Sequence, residues 1–193
     1  MLDNLKKYRI LLASKSPRRR DLLTQIRVPY SVVSIGSVKE EFPADLPTLE
    51  IAPYLSRLKA DAYRRLIDDN ELVITADTVV VCDGKMLGKP RNLDEAREML
   101  GFLSGKTHTV VTGVTVTTMD RQETISVSTS VTFGKLEKEE INFYVDRFTP
   151  LDKAGAYGIQ EWIGGVAVEC IDGSFYNVMG LPIHQLYKLL RSF

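Results

Sequence analysis

Histidine and cysteine are scarce in this chain, with two of each among 193 residues. His108 and His184 are too few and too far apart to suggest a Ser-His-Asp set, and no GxSxG stretch offers a serine nucleophile. No Cys/His group has zinc spacing. Cys82 and Cys170 both lie in apolar stretches, VVVCDG and VAVECID, and are expected to be reduced and buried. A Walker phosphate loop is also missing, which excludes a P-loop enzyme. There is no excess of either charge: 25 Lys+Arg balance 25 Asp+Glu. That excludes bulk nucleic-acid binding of the kind that needs a strong basic surplus. Long apolar runs are missing too. The start, MLDNLKKYRILLAS, is basic, but its apolar run is too short for a signal peptide or a membrane span, so the expected location is the cytoplasm and no membrane partner is expected.

What is present suits an ordinary globular chain, 44% hydrophobic and 26% charged, long enough for a sizeable core. YRILLAS reads as a buried first strand, followed by a helix with Ser16 as cap, Pro17 at its first position and Leu22, Leu23 and Ile26 as its apolar stripe. VPYSVVSIG reads as a second strand, and VKEEFPADLPTLE as a loop. Over residues 51–67 the helical stripe is Tyr54, Leu55, Leu58, Ala62 and Leu66. ELVITADTVVVCDGKMLG reads as a hairpin turning at Asp83-Gly84. NLDEAREMLGFLSG carries a helix capped by Asn92, boxed by Glu95 and stopped by Gly105. Two long alternating strands follow over residues 109–133, then a charged amphipathic helix over 137–147. VAVECIDGSFYNVMG reads as a strand, an Asp172-Gly173 turn and more extended chain, and LPIHQLYKLLRSF as a closing helix. The expected fold is α/β, a mixed sheet flanked by helices, in a single domain over residues 1–193.

Three places invite chemistry. ASKSPRR leaves a strand and opens a helix, where backbone N–H groups and the positive end of the dipole collect. Ser14 and Ser16 add hydroxyls there, and Arg18 and Arg19 add charge on adjacent helix faces. A phosphate fits, and so does a capped helix with a solvated basic face. Asp77 in ITADTVV is a lone carboxylate among β-branched residues, costly to bury unless it is paired or holds a cation. It either points into a cleft or caps a turn. Glu40 and Glu41 could supply a second carboxylate for Mg²⁺, or be solvated loop acids. Lys59, Lys89 in LGKP and Lys153 in DKAGAYG are further cations, the last two beside small residues that let a ligand approach the backbone. An anion nest, separated cations and one or two carboxylates together match a nucleoside triphosphate with Mg²⁺.

The blocks LASKSPRRRDLL, ITADTVV, LGKPRNLDEAREML with LSGKTHTVVTGV, PLDKAGAYGIQ and GSFYNVMGLPI resemble, in order, those of the Maf family of nucleoside triphosphate pyrophosphatases, from about residue 10 to 190. The resemblance implies a two-lobed fold akin to the inosine triphosphate pyrophosphatases, with the nucleotide in a central cleft. It implies hydrolysis of a nucleoside triphosphate to monophosphate and pyrophosphate, with a divalent cation, Mg²⁺ or Mn²⁺. It maps the family's catalytic aspartate onto Asp77, as general base or through the metal, and its second acid onto Glu40. SVKEEF departs from the commoner acidic pattern and carries an apparent insertion, which leaves Glu41 open as that acid. Arg18, Arg19, Lys59, Lys89 and Lys153 become the triphosphate clamp, with Ser14 and Ser16 beside it. A branch acting on 7-methyl-GTP resembles SPWRR and ADQ at the first two blocks. This chain has SPRRR, ADT and AYGIQ, so Arg18, Thr78 and Gln160 resemble the branch acting on dTTP and UTP. An amide such as Gln160 suits the edge of a thymine or uracil ring. The resemblance also suggests a homodimer. The alternative function is a nucleotide-binding regulator of cell division without turnover.

Overall fold

The computed structural model describes residues 2–34 and 38–193. Ile35 and Gly36 of the expected second strand lie outside them. Among the described residues the strands form one mixed sheet in the order β2 (Ser31–Val32), β1 (Arg9–Leu12), β3 (Glu71–Cys82), β5 (Thr107–Thr117), β6 (Gln122–Phe133) and β7 (Val168–Asp172), with β4 (Lys85–Leu87) paired to β3. Helices accompany it, as the α/β expectation requires. The chain divides into two compact units, Met1–Asp77 with Thr112–Val127 and Gly180–Phe193, and Thr78–Val111 with Ser128–Met179. No helix among the described residues is long and apolar enough to cross a membrane.

In the first unit β1 (Arg9–Leu12) runs parallel to β2 (Ser31–Val32) on one side and to β3 (Glu71–Cys82) on the other, pairing Leu11 with Ser31 and with Val73. Ile10, Leu11 and Leu12 are buried, as strands inside a parallel region must be. The chain then opens α1 (Pro17–Gln25). Leu22 and Leu23 are buried and Ile26 half-buried. Ser16 is the cap residue, yet its side chain does not cap. Ser14 Oγ instead accepts the Ser16 N–H at 3.2 Å. Among its described residues, the segment read as a second strand is a strand at Ser31–Val32, both exposed, and the Val33 N–H donates to Leu12 O at 3.0 Å.

Helix α2 (Ile51–Arg64) buries a different face from the one expected. Ala52, Leu55, Ser56, Ala60 and Tyr63 turn inward, while Leu66 lies past the helix end and is 70% exposed. The cause is a close approach of backbones. A Cβ on Gly113 of β5 (Thr107–Thr117) would lie 2.3 Å from Pro53 Cα, so this helix face needs small residues. Ser56 Oγ is satisfied there by Pro53 O at 2.9 Å and Thr115 Oγ1 at 2.9 Å. The closing helix α7 (Ile183–Leu190) buries Leu186 and Leu190.

The second unit holds the β3–β4 (Lys85–Leu87) hairpin, turning at Asp83 (φ 50°) and Gly84 (φ 74°), the two positive φ angles of a type I′ turn. Helix α3 (Leu93–Leu103) is capped as expected, Asn92 Oδ1 accepting the Glu95 N–H at 2.8 Å. Glu95 reaches back one residue further than a box requires, to the Arg91 N–H at 2.7 Å. Strand β6 (Gln122–Phe133) and helix α4 (Lys138–Phe148) fall where expected. Ala96, Leu100, Val110, Phe133, Tyr144 and Ile163 join the unit's main core.

Two expectations fail near the end of this unit. After a short helix α5 (Trp162–Ala167) and strand β7 (Val168–Asp172), the chain is helical over α6 (Phe175–Met179), not extended. Asn177 explains the turn. Its N–H donates to Ser174 Oγ at 3.2 Å, and its buried amide donates to Val110 O at 3.0 Å and Thr129 Oγ1 at 2.9 Å. Cys82 is buried, but Cys170, on β7 at the end of the strand order among the described residues, is exposed.

Candidate active site

In the first unit, residues far apart in sequence converge around Asp77. Strand β3 carries Asp77 near its midpoint, and helix α2 carries Lys59, whose Nζ lies 2.6 Å from Asp77 Oδ1. Glu40 arrives from the loop before α2, with Oε2 at 3.1 Å from the same ammonium. The Lys59 and Asp77 side chains are only 17% and 14% exposed, so this pair is shielded from bulk solvent. Glu41 points elsewhere, pairing with Lys39 at 2.6 Å with its side chain 68% exposed. Geometry thus separates two adjacent acids that the sequence left equivalent.

The β1–α1 turn faces this acid through Arg19. Its Nε donates to Gly180 O at 2.8 Å, and its Nη1 donates to Ala76 O at 3.0 Å and Ser14 Oγ at 3.3 Å. Burial pushes the guanidinium below its ordinary value, and the Asp77 carboxylate partly restores it. Arg19 therefore braces three segments: the head of α1, the residue before Asp77, and the turn before α7. Arg18 is half-buried beside it. Arg20 is engaged locally, donating to Lys15 O at 3.3 Å. Ser14 is buried, and its Oγ accepts from both Ser16 N and Arg19.

In the second unit, Thr78 is half-buried and Lys89 exposed. The Lys89 loop is tied to the Lys153 loop by the Gly155 N–H donating to Gly88 O at 3.0 Å. Lys153 is buried, its Nζ 2.7 Å from Asp152 Oδ1 and 3.2 Å from Glu161 Oε1. Gln160 is exposed. The small residues of DKAGAYG serve the chain's own packing. Gly155 and Ala156 both have positive φ, 68° and 59°, and a Cβ on Gly155 would sit 3.1 Å from the Val80 side chain. A left-handed alanine costs energy and persists only where its surroundings over-determine it. Tyr144, Glu161 and Tyr157 take part in this loop, and sequence reasoning misses them. Aromatics at helical spacing in α4 look like core alone.

The sequence comparisons agree with this arrangement of blocks. A match to the Maf family, described as Maf-like protein, spans residues 9–193. The chain belongs to the Maf family. Among Maf relatives, a dTTP/UTP pyrophosphatase of Bacteroides thetaiotaomicron is 54% identical over 191 residues, 99% of each chain. Those of Porphyromonas gingivalis and Parabacteroides distasonis are 50% and 51% identical, covering 100% of this chain and 98% and 100% of theirs. A solved dITP/XTP pyrophosphatase from Mycobacterium abscessus overlays with a TM-score of 0.42 and 12% identity, over 66% of this Maf chain and 75% of its own.

The donor set also bears on a metal. Among the described residues no three His, Cys, Asp or Glu side chains gather as a ready-made metal cage. Asp77 and Glu40 nevertheless converge on one cationic centre, the Lys59 ammonium. Two carboxylates without a third protein ligand fit Mg²⁺, which keeps waters and takes its remaining ligands from substrate phosphates.

Proposed function

We propose that this chain is a nucleoside triphosphate pyrophosphatase that cleaves dTTP and UTP to the monophosphate and pyrophosphate, with Asp77 as its catalytic acid–base residue. The observation that carries the reading is the shielded Asp77–Lys59 pair, with Glu40 reaching the same ammonium, beside the serine- and arginine-rich head of α1. The relatives named dTTP/UTP pyrophosphatase support that choice of substrate.

In this reading Asp77 takes a proton from the attacking water at the α–β phosphate bridge. Lys59, released from the two carboxylates, neutralises charge that develops on the phosphates; such positioned charge is the main resource in phosphoryl chemistry. Ser14 uses its oxygen to accept from Ser16 and Arg19, so its hydroxyl proton serves a phosphate oxygen. Ser16 and Arg18 add donors at the same helix head, and Arg19 holds Ala76 and hence Asp77 in place. Lys89 contributes charge from its exposed loop. Two of the three Lys153 N–H groups face Asp152 and Glu161, and the third serves the phosphates. A Mg²⁺ or Mn²⁺ held by Asp77 and Glu40 would supply charge neutralisation and acidify water. Thr78 and Gln160 read the pyrimidine.

The test is pyrophosphate release with Mg²⁺ across dTTP, UTP, CTP, GTP, ATP and 7-methyl-GTP. Preferential turnover of dTTP and UTP is expected. Turnover of 7-methyl-GTP instead would remove the specificity assignment and keep the enzyme. No turnover with either metal would remove the reading.

A further inference from the structure

A run of buried hydroxyls joins the two elements that carry Lys59 and Asp77. Ser56 of α2, Thr75 of β3 and Thr115 of β5 are all fully buried, and all lie in the first unit. The Ser56 and Thr115 hydroxyls meet at 2.9 Å, and Thr115 meets Thr124 Oγ1 of β6 at 2.9 Å. The Thr75 hydroxyl is bound differently. It donates to the backbone oxygen of Ser56 at 2.7 Å, with Thr115 O further off at 3.4 Å. A side chain of the sheet thus grips the backbone of the helix.

The place of that bond gives it a consequence for the site. Thr75 and Asp77 are two residues apart on β3, so their side chains share one face of the strand. Ser56 and Lys59 are three apart on α2 and are neighbours on one face of the helix. Thr75 to Ser56 O at 2.7 Å and Asp77 to Lys59 Nζ at 2.6 Å are therefore successive rungs between the same two faces. The first rung lies one helical turn before the second.

Steric contact alone leaves α2 some freedom. Its first turn presses against Gly113, where backbone meets backbone. Such a contact limits how near the helix comes, but not how it turns or slides. A hydrogen bond restricts both, because it has a preferred length and a preferred angle. Lysine needs that help. Its ammonium sits on a flexible four-carbon stem, so its place depends on where the helix puts its Cα. In a reacting site, misplacement by about 1 Å costs on the order of 10²-fold in rate.

We propose that Thr75 is a positioning residue for the reaction: its hydroxyl, bound to Ser56 O, fixes the turn of α2 that carries Lys59 and so holds the ammonium against Asp77. The inference rests on the reading of Lys59 and Asp77 as the groups that act on the triphosphate. Its test compares the wild-type chain with Thr75→Val, Thr75→Ser and Ser56→Ala. The readouts are kcat and KM for dTTP, a thermal melt, and carbodiimide coupling without metal or nucleotide. That reagent joins a carboxylate to an amine where the two touch, and mass spectrometry reads the yield of the Lys59–Asp77 linked peptide. Thr75→Val keeps a similar shape and deletes the hydroxyl. Its kcat should fall about tenfold with KM close to wild type, the split expected when a group acting in the transition state is displaced. Its coupling yield should fall severalfold. Thr75→Ser keeps the donor and should restore both. Ser56→Ala keeps the backbone acceptor, so it should lower the melting temperature and leave kcat near wild type. A lowered melting temperature in Thr75→Val with unchanged kcat or unchanged coupling overturns the proposal, since the bond is then only structural. Equal loss of kcat in Thr75→Ser overturns it too, because the hydroxyl is then not the cause. If Thr75→Val does not fold, Thr75→Ala against Thr75→Ser decides in the same way. These outcomes leave the pyrophosphatase reading standing. A wild-type chain that releases no pyrophosphate from dTTP or UTP overturns that reading and this inference together.

Discussion

Asp77 shows how one side chain can be anomalous in sequence and ordinary in its site. A carboxylate in a β-branched strand is costly unless something opposes its charge, and Lys59 at 2.6 Å does so. Asp77→Asn keeps the size of the side chain and removes the carboxylate proposed as the base. Pyrophosphate release should fall about 10²- to 10⁴-fold, the range general-base catalysis contributes, with an unchanged circular-dichroism spectrum. Activity close to wild type would remove Asp77 from the mechanism. The adjacent acids give a second contrast. Glu40→Gln should raise the Mg²⁺ concentration needed for half-maximal rate, and Glu41→Gln should not, because only Glu40 reaches the Lys59 centre. Nothing in the local pattern separates those two residues, since which acid of a loop faces inward depends on where the loop lands.

Helix α2 and strand β5 make the corresponding point for elements. The helical period over residues 51–64 is legible in the sequence, but the buried face is not. Apolar character marks Tyr54, Leu58 and Leu66, while backbone approach at Gly113 selects Ala52, Ser56 and Ala60. Gly113→Ala should therefore destabilise the protein by about 1–3 kcal/mol or more, as overpacking of a close contact does, seen as a drop in urea midpoint. The cap of α3 is the reverse case. Asn92 and Glu95 act locally, so the sequence reveals them, and Asn92→Ala should cost about 1 kcal/mol by the same measurement. Likewise the Asp83-Gly84 turn needs only two positive φ angles, which its own residues supply. Helix α6 reads as extended chain in the sequence because its cause is distant: Asn177 is anchored to β5 and β6.

Stability against acid belongs to the whole molecule. His108 is buried, joined to Tyr157 by a hydrogen bond of 2.8 Å and edge-on to Phe133 and Tyr157. Burial lowers its pKa from 6.5 to about 4. Between those values the unfolded chain binds the proton and the folded chain does not, so unfolding is favoured as pH falls. The stabilisation is complete above pH 6.5 and is lost progressively down to about pH 4, an order of about 3 kcal/mol. Urea unfolding from pH 7.5 to 4.5 should show that slope in the wild type, and His108→Phe should flatten it. A slope equal in both would assign the acid sensitivity elsewhere. The fold is legible in the sequence at one level: most strands and helices follow from periodicity, turn chemistry and caps, all set by residues a few positions apart, while the order of the blocks is read from the family resemblance. That local information determined the α/β class, the Asp83-Gly84 hairpin and the charged candidates of the phosphate site, whereas Thr78 and Gln160 came from the family resemblance. Only the tertiary structure decided that Glu40 rather than Glu41 meets Lys59, that Arg19 braces Ala76 and Gly180, that Cys170 lies exposed on a terminal strand, and that Lys153 shares its charge with Glu161. Each depends on contacts between residues remote in sequence or on which face of an element the folded chain covers, and packing of the folded chain sets both.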